Sequence, residues 1–159
     1  MTAATEPTNV PLEGGRHCRH VRYRMQTGPL FVHGCRCRWC QRESGASFAL
    51  HAMIEAHRLA STAGAPELVR TPSASGRGQD IARCPHGKLA LWSHYAGAGP
   101  LVSFVRVGTL DQPDLLPQDI SSSTFRASCG CDECSSASGI STADESSPVA
   151  TWRTIIARS

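Results

Sequence analysis

The segment Cys35-Arg36-Cys37-Arg38-Trp39-Cys40 constrains the fold more than any other stretch. Three cysteines spaced C-x-C-x-x-C can close on one metal ion, because the first pair spans a tight turn and the third arrives about one helical turn later. A structural zinc site normally has four protein ligands, whereas a catalytic one keeps three and leaves the fourth position to water or substrate. No Cys or His lies immediately beyond Cys40. The spacing therefore predicts an open, thiolate-rich zinc site made by Cys35, Cys37 and Cys40. It also predicts a short helix over Gln41 to Ser44, whose N-terminal amides favour thiolate, ended by Gly45.

The rest of the chain fits a metal-binding rather than a disulfide-bonded protein. No run approaches the ~20 apolar residues of a membrane span, and Met1 to Val10 has neither the basic start nor the apolar centre of a signal peptide. A cytoplasmic location is expected. In that reducing setting eight cysteines grouped as C-x-C and C-x-x-C read as metal ligands before they read as disulfides. The length of 159 residues suits one domain. Fourteen glycines, ten prolines and few long apolar runs favour a turn-rich, mostly β architecture over a helical bundle.

Periodicity supports that architecture. Residues 1 to 13 carry no regular pattern and read as a flexible lead-in, after which Gly14-Gly15 opens the fold. Val21, Tyr23 and Met25 alternate with Arg22, Arg24 and Gln26 as in a half-buried strand. Gly28-Pro29 is expected to turn this strand back through Leu30-Phe31-Val32 as a hairpin, bringing Cys18 and Cys35 to the same end of a sheet. Phe48, Leu50, Ala52 and Ile54 mark a second strand, and Leu101 to Val107 the strongest β run. Shorter strands are expected at Glu67 to Arg70, Ile81 to Arg83 and Leu89 to Trp92, with a turn-rich segment from Thr71 to Gly78 and a loop from Gly108 to Pro117. Residues 55 to 66 show no clear pattern.

Taken together, Cys35 to Gly45 with Ala46-Ser47-Phe48, Gly14-Gly15 before Cys18, Val21-Arg22-Tyr23, Ser75-Gly76-Arg77-Gly78, Cys84-Pro85 and Val107-Gly108-Thr109-Leu110-Asp111-Gln112-Pro113 follow a recognisable order. The chain resembles the family of glutathione-dependent formaldehyde-activating enzymes and centromere protein V, over roughly residues 12 to 126. The resemblance implies a small Mss4-like folded β-sheet with short helical turns, clamped by zinc, as a domain at 14–126 followed by a tail at 127–159. It implies two zinc sites: the open one at Cys35, Cys37 and Cys40, and a closed one pairing an early C-x-C with a later C-x-x-C. Here the closed set departs from the pattern. Its early half reads Cys18-Arg19-His20, and its later half Cys84-Pro85-His86-Gly87 is one residue shorter than usual. Imidazole binds zinc as well as thiolate does, so Cys18, His20, Cys84 and His86 are its candidate ligands.

The family's founding reaction joins formaldehyde to glutathione as S-hydroxymethylglutathione. The implied activity is thus that of a carbon–sulfur lyase acting on glutathione or another small thiol plus an aldehyde. Arg16, Arg19, Arg22, Arg24, Arg36 and Arg38 lie between Gly14 and Gln41 with no carboxylate among them. Such a surface suits the carboxylates of glutathione or, in a non-catalytic alternative, a nucleic acid or protein partner. Arg36, Arg38 and Arg42 are candidates to offset thiolate charge, and Arg77 to grip a carboxylate. No motif places His17, His33, His51, His57 or His94. His33 is two residues from Cys35 and within reach as a base, but a lone histidine at a strand end reads first as a surface residue. Asp111 reads as a turn cap. Cys129, Cys131 and Cys134 repeat the C-x-C-x-x-C spacing in the tail, as a third metal site or a spare ligand source. A polar stretch, Ser135 to Pro148, and an apolar segment, Trp152 to Ile156, follow them.

Overall fold

Two sheets divide the chain. The structure is a computed structural model that describes residues 10–73, 76–96, 99–117 and 120–121. The small sheet contains β1 (Leu12–Gly15), β2 (Arg22–Met25) and β5 (Leu59–Ala63) in the order β1-β2-β5. The large sheet contains β3 (Phe31–Cys35), β4 (Ala49–Glu55), β6 (Glu67–Thr71), β7 (Gln79–Arg83), β8 (Ala90–Tyr95), β9 (Val102–Arg106) and β10 (Ile120–Ser121), ordered β10-β3-β4-β9-β8-β7-β6. Neighbours are antiparallel except β10, which runs parallel to β3. Among the described residues the one α-helix is α1 (Arg38–Ser44). The chain is mostly β, as its alternation and turn content predict.

The expected hairpin between β2 and β3 does not form, because backbone groups on the two sides of Gly28-Pro29 are claimed by different sheets. Gln26 N–H donates to Arg58 C=O at 2.9 Å, on the approach to β5, whereas Leu30 N–H donates to Met53 C=O at 2.7 Å, on β4. The burial patterns agree with that separation. β2 alternates, with Tyr23 and Met25 fully buried and Arg24 exposed, while every residue of β3 is buried. A strand buried on both faces needs cover on both sides, which a two-strand hairpin lacks. Cys18 and Cys35 consequently belong to different clusters.

One face of the large sheet, through Val32, Ala52, Ile54, Trp92 and Val105, packs on Leu12, Tyr23 and Met25 of the small sheet. Tyr23 meets Trp92 edge to face at 5.5 Å. Full burial of side chains this size contributes about 1.5–3 kcal/mol each, so this interface is the main adhesive between the sheets. Polar contacts fix its register. A Cβ at Gly14 would lie 2.5 Å from the Tyr23 ring, so only glycine admits the close approach there. Tyr23 Oη meets Thr109 Oγ1 at 2.6 Å, and Thr109 donates to Arg106 C=O at 2.7 Å. Asp111, expected as a turn cap, instead accepts from Arg22 Nη1 at 2.8 Å, while its N–H donates to Glu13 C=O at 2.9 Å.

The short strand predictions at 67–70, 81–83 and 89–92 and the longer ones at 48–54 and 101–107 correspond to β6, β7, β8, β4 and β9. Residues 55–66 contain a 3-10 turn, Ala56–Arg58, and then β5. No residue of β5 is fully buried, which explains its weak signal. Of the lead-in expected at 1–13, residues 1–9 lie outside the described residues, whereas Leu12 and Glu13 already belong to β1, where Leu12 is buried in the core. The tail cysteines Cys129, Cys131 and Cys134 and the segments at 135–148 and 152–156 also lie outside the described residues.

Candidate metal centre

Cys35, Cys37 and Cys40 converge as their spacing predicts, with Sγ atoms all within 4.8 Å of one another. All three are buried, at no more than 5% exposure. Cys35 ends β3. Cys37 is the N-cap of α1, and its sulfur accepts from Cys40 N–H at 3.4 Å. The helix starts at Arg38 rather than Gln41 because Cys37 itself supplies the cap. Cys40 therefore lies in the first turn, on the buried side. Gly45, at φ 69°, ends the helix in the left-handed conformation, its N–H donating to Gln41 C=O at 2.8 Å.

Without a cation these thiols cannot all ionise. Hydrogen bonds from Cys35 and Cys40 bring Cys37 down to about 2. Hydrogen bonding to Cys37 and Cys40, with burial, pushes Cys35 far up. Cys40 is lowered by its contact with Cys35, but the Cys37 contact and burial outweigh this and leave it at about 11. The cluster as a whole thus carries less than its full negative charge, and ionising all three sulfurs requires a positive partner. A tetrahedral zinc ion with Zn–S bonds of about 2.3 Å separates its sulfurs by about 3.8 Å, which the cluster accommodates. The donor set fits zinc.

Behind the cluster, a polar row crosses the same face of three strands. His33 on β3 is opposite His51 on β4, and His51 is opposite Arg106 on β9. His33, expected at the surface, is 1% exposed, and its ring stacks on His51 with centroids 5.1 Å apart. His51 Nε2 lies 3.8 Å from Cys40 Sγ and accepts from Arg106 Nη1 at 2.9 Å. Burial first, and then the Arg106 charge, lowers His33 to about 4 and His51 well below the usual imidazole range. Both rings are neutral near pH 7. Arg106 is buried and forms no ion pair with a carboxylate among the described residues. Its available counter-charge is the thiolate cluster. On the same face Tyr95 packs edge to face on Phe104 at 4.9 Å, its hydroxyl pushed up by burial and then by Cys40.

Arg36, Arg38 and Arg42 are all exposed, so the buried cation beside the thiols is Arg106 rather than any of these three. Arg38 and Arg42, with Gln41, Gly45, Ala46 and Ser47, line a shallow cavity of about 540 Å³ on the outer side of α1. Arg77 lies on the turn joining β6 and β7, at the other end of the strand order from β3, and its C=O accepts from Arg70 Nη2 at 2.7 Å. His51, Arg106 and Tyr95 are the residues that sequence reasoning did not place at the site. A signal for one of them exists: Arg106 is a lone charge inside the apolar run from Leu101 to Val107.

The second cluster brings its four residues together, but as two pairs. Cys18 Sγ and Cys84 Sγ are 3.6 Å apart. The rings of His20 and His86 stack at 3.7 Å and 22°. Among the described residues, Cys35, Cys37 and Cys40 form the one group with three ligand atoms within 4.8 Å, so no third ligand joins the Cys18–Cys84 pair in this arrangement. The donors of a four-ligand zinc site are near one another without converging. Each half is a tight turn with one non-glycine residue in the left-handed region, Arg19 at φ 56° and Lys88 at φ 55°. Arg83, just before Cys84, donates to Lys88 C=O at 3.0 Å and pairs with Glu43 of α1, linking this turn to the helix of the first cluster.

Comparison with known proteins agrees with this description. Residues 11–125 match the family described as glutathione-dependent formaldehyde-activating enzyme. A crystal structure of a Rhodobacter sphaeroides protein shares the fold, with a TM-score of 0.51 over 69% of this chain and 98% of that one, at 19% identity. No curated protein matches the chain.

Proposed function

Because the chain belongs to the glutathione-dependent formaldehyde-activating enzyme family, we propose that it is a zinc-dependent carbon–sulfur lyase. It forms or cleaves an S-hydroxymethyl adduct between formaldehyde and glutathione or a related thiol. The observation that carries this reading is a buried three-thiol cluster backed by Arg106, a buried cation with no carboxylate partner among the described residues. Cys35, Cys37 and Cys40 would hold zinc, which when bound supplies a Lewis acid that lowers the pKa of a thiol in its fourth position. Arg106 favours the anionic form of whatever sulfur enters, and its hydrogen bond to His51 Nε2 fixes that ring beside Cys40. Arg38 and Arg42, outside on α1, suit the carboxylates of glutathione. In the forming direction the thiolate sulfur attacks the aldehyde carbon, the C–S bond forms as the C=O π bond breaks, and the resulting alkoxide takes from water a proton equivalent to the one the thiol released.

Calorimetry of glutathione binding to the zinc-loaded protein, in two buffers of different ionisation heat, tests this. One proton should be released on binding, and Cys40→Ser should abolish the release. No glutathione binding at millimolar concentration would overturn the reading.

A non-catalytic zinc module is the second reading, and one observation favours it: His51 Nε2 is close enough to Cys40 Sγ to complete a Cys3His site. The Arg106 donation to the same nitrogen opposes this, because it engages the lone pair that a metal would need. In cobalt-substituted protein, a fourth sulfur charge-transfer contribution on adding thiol supports the open site. An unchanged spectrum supports closure by His51.

A further inference from the structure

We propose that Arg83 is a positioning residue that couples metal binding at the two clusters, holding the turn of Cys84 and His86 with one guanidinium nitrogen and the end of α1 with the other. Arg83 Nη1 donates to Lys88 C=O at 3.0 Å, and Nη2 pairs with Glu43 Oε1, 40 residues away in sequence. Lys88 N–H donates to Cys84 C=O at 2.7 Å and Cys84 N–H to Leu89 C=O at 3.0 Å, so the guanidinium grips a closed turn rather than a loose loop. The register of β7 on β8 shifts between Ala82 and Arg83, a bulge of the kind that re-aims a side chain at a strand end.

The Arg83–Glu43 side chains are 18% and 20% exposed, and among the described residues this is the one ion pair with both members so far from water. Exposed pairs contribute little, whereas a shielded pair is weakly screened and holds its geometry. Glu43 lies in the last turn of α1, where a carboxylate meets the negative end of the helix dipole. Its place there is explained by Arg83, not by the helix. With seven residues, α1 is too short to be stable alone, so a tie at its far end helps to hold Cys37 and Cys40 opposite Cys35. At the other end of the link, the Cys18 and Cys84 sulfurs are 3.6 Å apart, close to the separation of about 3.8 Å between two thiolates on one zinc ion. His20 and His86 complete a Cys2His2 donor set that fits zinc. Fixing Cys84 and His86 as ligands takes freedom from the turn, and with it from the Lys88 carbonyl that seats Arg83. Ordering either cluster therefore lowers the cost of ordering the other, which is positive coupling.

The test titrates the full chain, stripped of metal, with cobalt and then zinc. Metal equivalents per chain are counted, and the affinity of the three-thiol cluster is read from its sulfur-to-cobalt charge-transfer bands, which are stronger for three thiolates than for two. His86→Ala leaves every thiol in place and weakens the second cluster. It should lower the affinity of the three-thiol cluster on the order of fivefold to tenfold, but by less than about twofold in the Glu43→Gln background. A merely structural role for Glu43 would leave the loss equal in both backgrounds. Arg83→Lys keeps the charge without the rigid fork that reaches Glu43 and the Lys88 carbonyl together, and should behave as Glu43→Gln does. Should His86→Ala fail to fold, the parent and Glu43→Gln decide the matter with every ligand intact: at half-saturation, native mass spectrometry should find fewer singly loaded chains in the parent. Equal losses in the two backgrounds overturn the proposal, as does the same loading distribution with and without the pair, or uptake of a single metal equivalent. The proposal rests on zinc at both clusters and not on the lyase reading, which glutathione binding to the loaded protein decides separately.

Discussion

Replacing Arg106 with Met tests whether the three-thiol cluster is charge-compensated from behind. The guanidinium is linked to Cys40 through His51 by contacts of 2.9 and 3.8 Å, so its nitrogen is at most about 6.7 Å from that sulfur. Three thiolates on a dication leave one net negative charge. At that separation, with an effective dielectric of about 20, its attraction to Arg106 is at least about 2.5 kcal/mol. Because the metal-free cluster already carries negative charge, only part of this attraction counts toward metal binding, and the expected loss of zinc affinity is on the order of tenfold, measured by competition against a chelator of known affinity. Because both groups are buried, the loss should change little between low and moderate salt. Arg106→Lys separates charge from shape. Lysine keeps the charge but not the planar donor fork, and should recover most of the affinity while altering the His51 contact. Arg106→Met also removes the donor to a buried nitrogen and costs fold stability, so its melting curve must first show a folded protein. Zinc binding by folded Arg106→Met within about threefold of the parent would refute the electrostatic reasoning.

Other perturbations probe the junction of the sheets and the metal. Tyr23→Phe removes the buried hydroxyl contact to Thr109, at a cost of about 1 kcal/mol and a melting temperature lower by roughly 2–4 °C; an unchanged melt would show the bond to be dispensable. The hydrogen bond from Arg22 holds the Asp111 carboxyl below its ordinary value of 3.8. A depressed folded value means stability that is present above the unfolded pKa and lost as pH falls through the folded one. Asp111→Asn should therefore be less stable than the parent near pH 6, by under about 1 kcal/mol because the pair is exposed, with the gap closing as pH falls below the ordinary carboxyl value and through the lowered folded one. Verified removal of zinc should lower the melting temperature, and a melt that does not move would argue against a structural contribution from the metal.

How legible the molecule was depended on how local each feature is. The C-x-C-x-x-C cluster was readable because its geometry is set within six residues: a strand end, an N-cap and the first turn of a helix. The individual strands were readable for the same reason. Pairing was not. Gly28-Pro29 looks like a hairpin turn, and only the partners of Gln26 and Leu30 across the fold show that it is a crossing between sheets. The row of His33, His51 and Arg106 joins residues whose relation is one of cross-strand register, and register is fixed by strands distant in sequence. Histidine at a strand end is ordinarily a surface residue, and here both faces of β3 are covered, which no property of β3 alone reveals.

The second cluster can depart from the family pattern because the junction it belongs to is held by other means. The turn at residues 16–21 lies between β1 and β2, and both strands are already fixed to the large sheet without Cys18. Leu12, Val21, Tyr23 and Met25 are buried in the shared core. Gly14 bridges Leu110, Tyr23 bonds to Thr109, and Arg22 pairs with Asp111. Exchanging a thiol for an imidazole in each half therefore removes at most one of several ties, in a region where burial of a few large side chains outweighs any single polar contact. The first cluster has no such redundancy. α1 is seven residues long, too short to be stable alone. The apolar side chain it buries is that of Cys40, and its other ties are the Cys37 cap and the Glu43–Arg83 pair. What holds the helix in place is largely the set of sulfurs themselves, so a substitution among Cys35, Cys37 and Cys40 disturbs the local fold and the proposed chemistry together.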